Sequence, residues 1–159
     1  MRALFDKLGK TGTAIATILA IVTGIITCWQ FVLSSEKYNL SGAWKLEFKV
    51  KSSSYKPYIG ETHTQKVFFT QSETEIEGHG EKWEYNGELL PFNAHRKLEY
   101  KGTINDNELK ATYVLHGLKR VSEGIIHVMI SDDGEHLEGK FSGTAGESSG
   151  TVTGEKINL

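Results

Sequence analysis

Two arginines are the residues best suited, by type and spacing, to bind a ligand in the charged part of this chain. Arg96 and Arg120 are the only arginines after residue 37. Each falls in phase with alternating apolar residues, Arg96 with Leu98 and Tyr100, and Arg120 with a pattern that extends to Ile126. An arginine on an apolar face is costly to bury unless an anion meets it. That anion is either an internal Asp or Glu or a bound phosphate or carboxylate. Alternatively, each arginine lies at a strand end and reaches solvent.

The sequence contains no constellation of residues that calls for an enzyme. The six histidines are scattered, and no pair has metal-ligand spacing. The pattern G-x-S-x-G occurs once, at Gly146–Gly150, but it lies at the turn between two predicted strands and lacks the following helix that a nucleophile elbow needs. The glycine-rich phosphate-binding motifs are missing. The single cysteine, Cys28, lies in an apolar run, which excludes a disulfide framework and a thiolate zinc site. We therefore predict a protein that is not an enzyme and that holds no metal and no cofactor.

The elements that position the arginines are predicted to be β-strands. After Leu40, apolar and polar residues alternate with a period of two, which is typical of half-buried strands. Eight segments follow this pattern, at residues 42–51, 61–71, 74–84, 96–105, 108–116, 119–130, 136–143 and 149–158. Their regular spacing, without a helical pattern between them, favours an all-β sandwich or barrel. Because closure removes exposed edges, we predict an eight-stranded antiparallel up-and-down β-barrel with room for one small ligand.

A long apolar stretch, Thr11 to Ser35, precedes the strands. Its 25 residues include no Asp, Glu, Lys or Arg, and a helix needs roughly 20 residues to cross a membrane. We predict a transmembrane anchor at residues 1–36, with its span at about 12–33, followed by a β-barrel ligand-binding domain at 37–159. A basic start before an apolar core is also the pattern of a secretory signal, and a lipoprotein signal would be cut before Cys28.

One face of the predicted helix is suited to packing against another helix. Gly12, Ala16, Ala20 and Gly24 recur at every fourth residue. Small residues at this spacing let helix backbones approach closely in lipid, where packing drives association. The sequence therefore predicts contact with membrane lipid and self-association through this stripe.

The charge balance disfavours a nucleic-acid polymer as a partner. From residue 37 onward there are 15 Lys and Arg against 18 Asp and Glu, a net charge of −3. Proteins that grip a nucleic-acid backbone usually present a basic stripe. We expect no such partner for this chain.

The layout of the chain resembles a known class of bacterial defence protein. A short basic N-terminus and an apolar anchor precede a glycine-rich β domain. That domain opens with L-S-G-A-W at 40–44 and closes with F-S-G-T-A-G-E-S-S-G-T-V-T-G-E-K-I-N-L at 141–159. This layout is similar to the membrane-anchored β-barrel effectors of anti-phage signalling, the CBASS effectors with a β-barrel ligand domain and their relatives in the Panoptes system.

The resemblance implies a function for both parts of the chain. In that family the barrel binds a cyclic oligonucleotide made by a partner nucleotidyltransferase-like enzyme. The membrane helices then assemble and damage the inner membrane, which kills or arrests the cell. By similarity, a cyclic dinucleotide would meet four residues of this chain for phosphate pairing and base stacking, namely Arg96, Arg120, Tyr113 and Trp83.

The chain departs from the family in one respect. The family is usually described with two membrane helices, and a single run of 25 apolar residues cannot cross twice. We therefore expect a single-pass protein of the bacterial inner membrane with its barrel in the cytoplasm, where the nucleotide is made. Two alternatives remain open, a membrane-anchored lipocalin-like carrier of an apolar ligand and an envelope lipoprotein acylated at Cys28.

Overall fold

The computed structural model describes residues 38–118 and 120–157. The predicted anchor, with its stripe from Gly12 to Gly24, lies outside the described residues. Among the residues that the structure describes, no helix is both long and apolar enough to cross a membrane.

The described chain forms a closed antiparallel β-barrel. Eight long strands make the wall, and a two-residue strand, β4, pairs only with β3. Closure comes from β2, which pairs with β1 on one side and with β3 on the other. The strands are β1 (Gly42–Ser52), β2 (Thr62–Ser72), β3 (Glu75–Tyr85), β4 (Glu88–Leu89), β5 (Arg96–Asn105), β6 (Glu108–His116), β7 (Val121–Ile130), β8 (His136–Gly143) and β9 (Ser148–Ile157). The predicted all-β, eight-stranded barrel is confirmed.

The alternating pattern forms this wall because one face of every strand is buried. In β1, Trp44, Leu46 and Phe48 are fully buried, and the residues between them are exposed. A one-residue slip would move all of these side chains into solvent, so the register is strongly specified.

Aromatic rings fill the middle of the barrel and contact one another across it. Phe69 lies 5.6 Å from Tyr100 between ring centroids, and Tyr100 lies 5.8 Å from Tyr113. Phe48 continues the cluster, at 5.9 Å from Tyr113 and 5.1 Å from Phe141. Edge-to-face and tilted pairs at these distances stabilise a core beyond the area that they bury.

Inward-facing glycines make room for these rings. A Cβ atom at Gly78 would lie 2.6 Å from the Phe69 ring, and one at Gly124 would lie 2.3 Å from Cζ of Tyr113. Both distances are far below van der Waals contact. At these two positions a side chain larger than glycine would displace an aromatic ring of the core.

The barrel has two ends, which we call the linker end and the mouth. The linker end comprises residues 38–41 and the three tight turns that follow β2, β5 and β7. The mouth comprises the four loops at residues 53–61, 86–95, 117–120 and 144–147. Because the strands alternate in direction, β1 begins at the linker end and finishes at the mouth.

Residues 38–41 close the linker end. Leu40 is fully buried, and its carbonyl accepts a 2.8 Å hydrogen bond from Nε1 of Trp44. Nζ of Lys156 donates to the carbonyl of Asn39 at 2.9 Å. The segment before β1 is thus part of the barrel core.

Gln71 clamps this segment with its side-chain amide. Its Nε2 donates to the carbonyls of Tyr38 and Glu73, each at 2.9 Å, and its Oε1 accepts from the Leu40 amide at 2.8 Å. Glu73 has a φ of 53°, a left-handed conformation that is uncommon for a non-glycine residue. The clamp therefore fixes both the linker segment and the adjacent turn.

We expect Gln71→Ala to loosen residues 38–41. Loss of these three hydrogen bonds, two of which are partly buried, should lower the free energy of unfolding by about 1–3 kcal/mol. Amide hydrogen exchange should show faster exchange at Leu40. Gln71→Glu is the matched control, because it keeps the acceptor for Leu40 and loses the two donors. Unchanged protection of the Leu40 amide in Gln71→Ala would contradict the clamp.

Candidate ligand-binding site

Two cations face each other at the mouth of the barrel. Lys82 of β3 is directly opposite Arg96 of β5, and both are half-buried. Strand alternation places them on the interior face, in phase with Gly80 and Leu98. Side chains of directly opposed residues start about 5 Å apart. The fold therefore brings two positively charged side chains together where they are partly shielded from water.

The environment of Lys82 shows the effect of this crowding. Burial lowers the pKa of its ammonium group, the nearby Glu61 carboxylate opposes this shift, and the positive charge of Arg96 adds to it. Nζ of Lys82 also lies 4.5 Å from the centroid of the Tyr85 ring, a cation–π distance. The same Glu61 accepts a hydrogen bond from Tyr85, and burial together with this bond and charge raises the pKa of Tyr85 to about 12.

The loop between β4 and β5 orients the guanidinium of Arg96. Its Nη1 donates to the carbonyls of His95 at 2.7 Å and Asn93 at 3.1 Å. His95 is itself held by Oε2 of Glu81 and the carbonyl of Leu90, each at 3.0 Å. Within the described residues, no acceptor is bonded to Nε or Nη2 of Arg96. The guanidinium is positioned by backbone contacts and keeps donors for a ligand.

A polar layer lies next to the cation pair. Gln65 of β2 is directly opposite Lys82 and is fully buried. The Tyr100 hydroxyl donates a short hydrogen bond to Oε1 of Gln65. Burial, and then the neighbouring Tyr113, raises the pKa of Tyr100 well above its usual value, so it stays a donor.

His63 contributes no charge to the mouth at neutral pH. Its ring stacks on Phe48 with centroids 5.0 Å apart. Burial, and then the positive charge of Lys82, lowers the pKa of His63 to about 3. The positive character of the site therefore comes from Lys82 and Arg96, offset in part by Glu61.

The four residues predicted to contact a ligand occupy different surroundings. Arg96 lies in the cation pair, and Trp83 adjoins it in sequence, at the bulge where β3 shifts register against β2. Trp83 is half-buried, and its indole N–H is buried with no acceptor among the described residues. The structure thus brings Arg96 and Trp83 to the same strand pair.

Tyr113 and Arg120 are placed differently. Tyr113 is buried in the aromatic core, its hydroxyl end lies against Gly124 and Gly143, and burial raises its pKa to about 12. Arg120 precedes the first residue of β7, and its side chain is exposed on a mouth loop. Arg96 therefore follows the interior phase predicted for it. For Arg120 the structure shows the alternative, an arginine at a strand end that reaches solvent.

Sequence reasoning missed Lys82, Gln65 and Glu61. Lys82 carried a usable signal, because it is in phase with Ile76, which is buried on the same strand. The bulge that follows Lys82 interrupts the alternation of inward and outward side chains. The sequence pattern therefore does not predict which face of the strand Tyr85 occupies.

A large surface groove lies elsewhere. It has a volume of about 730 Å³, and its lining comes from β6 to β9, including Tyr113 and Ile125. Glu123 and Glu147 line it, and no Lys or Arg does. It is thus a poor match for an anionic ligand. Within residues 38–118 and 120–157, no group of His, Cys, Asp and Glu side chains could hold a metal ion.

Exposed apolar side chains surround the mouth. Among the described residues, six of the nine large exposed apolar side chains belong to its loops or lie at their ends. Phe92 is the extreme case, at 87% exposure. We call this set the apolar crown, and it comprises Tyr55, Ile59, Leu89, Phe92, Leu118 and Val121. Exposed apolar clusters of this kind mark binding surfaces more often than scattered single residues do.

No protein-family model matches the chain. No curated protein matches it either.

Proposed function

We propose that the barrel is a sensor domain that binds a cyclic dinucleotide at its mouth. The observation that carries this proposal is the half-buried pair of Lys82 and Arg96. Like charges on directly opposed residues repel each other, and an anion between them relieves this repulsion. Glu61 compensates only part of this charge, because a single carboxylate meets two cations.

The chemistry of the mouth suits a phosphodiester with attached bases. A guanidinium and an ammonium pair with phosphate oxygens through charge-assisted hydrogen bonds. The rings of Tyr85 and Trp83 lie on the same strand as Lys82 and provide flat surfaces for base stacking. Arg120 on the rim stays a predicted contact, and Tyr113 stays a predicted contact from the core.

The rest of the proposal concerns the N-terminal segment. We infer that the chain is an anti-phage effector of the bacterial inner membrane and that ligand binding controls assembly of the segment through its stripe from Gly12 to Gly24. The layout shared with the CBASS and Panoptes effectors supports this proposal, as does the charge-free run of 25 residues. In this proposal a partner nucleotidyltransferase-like enzyme supplies the nucleotide.

Binding of cyclic dinucleotides to the full chain tests the proposal. Isothermal titration with cyclic di-AMP, cyclic di-GMP and cyclic GMP–AMP should identify a ligand. Lys82→Ala and Arg96→Ala should each weaken its binding by about tenfold, because each removes a charge-assisted hydrogen bond. Lys97→Ala is the matched control, because Lys97 follows Arg96 on β5 and is exposed on the outer face. Its affinity should match the wild type.

Two results would oppose the proposal. Equal weakening by Lys97→Ala would mean that the mouth acts only through overall charge. Binding of oleate in place of every nucleotide would favour the lipocalin-like carrier, the second candidate.

A further inference from the structure

We propose that Gln65 is a third donor to the anion held by Lys82 and Arg96, and that Tyr100 is the positioning residue that aims its amide. This inference rests on the proposed function, because it assigns the ligand group read at the same site. It adds a neutral, buried donor to the two cations and defines the chemical class of that group.

Gln65 has an unmet hydrogen-bonding requirement. Its side chain is fully buried, and Nε2 has no acceptor among the described residues. Most buried polar atoms in folded proteins have a partner, because an unpaired one keeps the whole cost of losing its water. A buried amide with two unused N–H groups is therefore an argument for an acceptor that is not part of the protein.

Tyr100 fixes the direction in which the amide points. The Tyr100 hydroxyl donates to Oε1 of Gln65, which occupies the carbonyl end of the amide. The Tyr100 ring is itself held between Phe69 and Tyr113, with centroids 5.6 and 5.8 Å away. Since an amide is planar, fixing its oxygen directs both N–H groups to the opposite side.

The position of Gln65 in the sheet brings it next to the cations. Gln65 is opposite Lys82, and Lys82 is opposite Arg96, so the three residues form one row across β2, β3 and β5. Adjacent strands lie about 4.8 Å apart, so the row is about 10 Å long. Strand alternation places all three residues on the interior face. A group the size of a phosphate in the middle of this row lies within reach of all three side chains.

The three side chains specify an acceptor-only group. Lysine and arginine can only donate, and the free end of the Gln65 amide carries only N–H groups. Neighbouring groups do not supply the acceptor for Gln65, because its Nε2 has no hydrogen-bond partner among the described residues. The ligand group must then be a deprotonated oxyanion with several free oxygens. The non-bridging oxygens of a phosphodiester meet this requirement, and so do those of a simpler phosphate.

Variants of the full chain test the inference. Gln65→Leu removes both donors at similar volume and should weaken the tightest-binding cyclic dinucleotide by about tenfold. Gln65→Glu should abolish binding, because it places a carboxylate against the phosphate. Tyr100→Phe should weaken binding by less, because it frees the amide without removing it. Gln71→Leu is the matched control, because Gln71 is on the same strand at the linker end.

The probes separate the possible sources of the oxyanion. The titrations use the cyclic dinucleotides, inorganic pyrophosphate and oleate. Sensitivity to Gln65→Leu with both phosphate probes assigns Gln65 to the phosphate group. A second readout follows the side-chain N–H resonances of Gln65 and Gln71 in the wild-type chain on saturation with ligand. The resonances of Gln65 should shift, and those of Gln71 should not.

The outcomes distinguish this inference from the proposed function. If Lys82→Ala weakens binding and Gln65→Leu does not, the role of Gln65 is wrong and the cation site stands. Unshifted Gln65 resonances at saturation overturn the inference even if Gln65→Leu fails to fold. If the wild-type chain binds none of the probes, both proposals fall.

Discussion

Phe48→Ala is expected to destabilise the barrel by about 3–5 kcal/mol, the range for deleting a large buried aromatic side chain. Phe48 is fully buried and contacts three rings, those of His63, Tyr113 and Phe141. The wall of a closed barrel has little freedom to collapse into the space left behind. Urea denaturation followed by tryptophan fluorescence measures the loss as a lower midpoint.

Phe68 provides a matched control on the neighbouring strand. It has the same side chain on the outer face of β2 and is 56% exposed. Phe68→Ala should change the free energy of unfolding by less than about 0.5 kcal/mol, as exposed substitutions usually do. Comparable losses in the two variants would mean that the aromatic cluster does not hold the barrel together.

A second large effect is expected when the pH is lowered. The pKa of His63 in the folded chain is about 3, well below its usual value of 6.5, because burial and then Lys82 disfavour its charged form. The unfolded chain therefore binds the proton more readily, and stability falls as the pH drops below about 6.5. Between pH 7.5 and pH 4.5 the loss should reach about 2.5 kcal/mol.

This pH range separates the titration of His63 from that of the two carboxyl groups whose pKa values are lowered. Hydrogen bonds from His127 and Lys110 lower the pKa of Glu108, and a hydrogen bond from Ser131 lowers that of Asp133. The stability that these two carboxyl groups contribute is lost only as the pH falls below their usual pKa values of 4.5 and 3.8.

His63→Leu removes the titrating group from both the folded and the unfolded chain. Denaturation midpoints of this variant should be nearly flat between pH 7.5 and pH 4.5. The control is His79→Gln, because His79 is exposed on the outer face of β3 and this variant should keep the wild-type slope. An unchanged slope in His63→Leu would show that another group causes the acid sensitivity.

The strands were predictable because each one buries a single face. The period of two in β1 and β5 appears directly as alternating burial, and the observed limits lie within two residues of the predicted ones. The two-residue strand β4 and the bulge at Trp83 were not predicted. Both features depend on how the end of β3 pairs with β2 and with β4, and no local sequence pattern indicates that pairing.

The candidate site was only partly predictable for the same reason. Arg96 could be placed because it begins a regular strand. Arg120 could not, because the phase of β7 was extended back through a residue that belongs to a loop. The row of Gln65, Lys82 and Arg96 combines three strands, and the bond that aims Gln65 comes from Tyr100, 35 residues away. Such a constellation depends on sheet register, which the sequence specifies only through the complete fold.

The separation of the mouth from the linker end restricts how a bound ligand can act. Strand β1 has 11 residues, which corresponds to about 35 Å between the two ends. Its ladder is closed on both sides, so it cannot slide without breaking hydrogen bonds to β2 and β9. Ligand binding at the mouth is therefore not expected to move residue 38. It is expected to change how the apolar crown contacts another molecule. For the proposed effector, the response would then require contact between two copies of the protein, so its rate would rise with the square of the protein concentration in the membrane. The expression level alone could therefore set the threshold of the response.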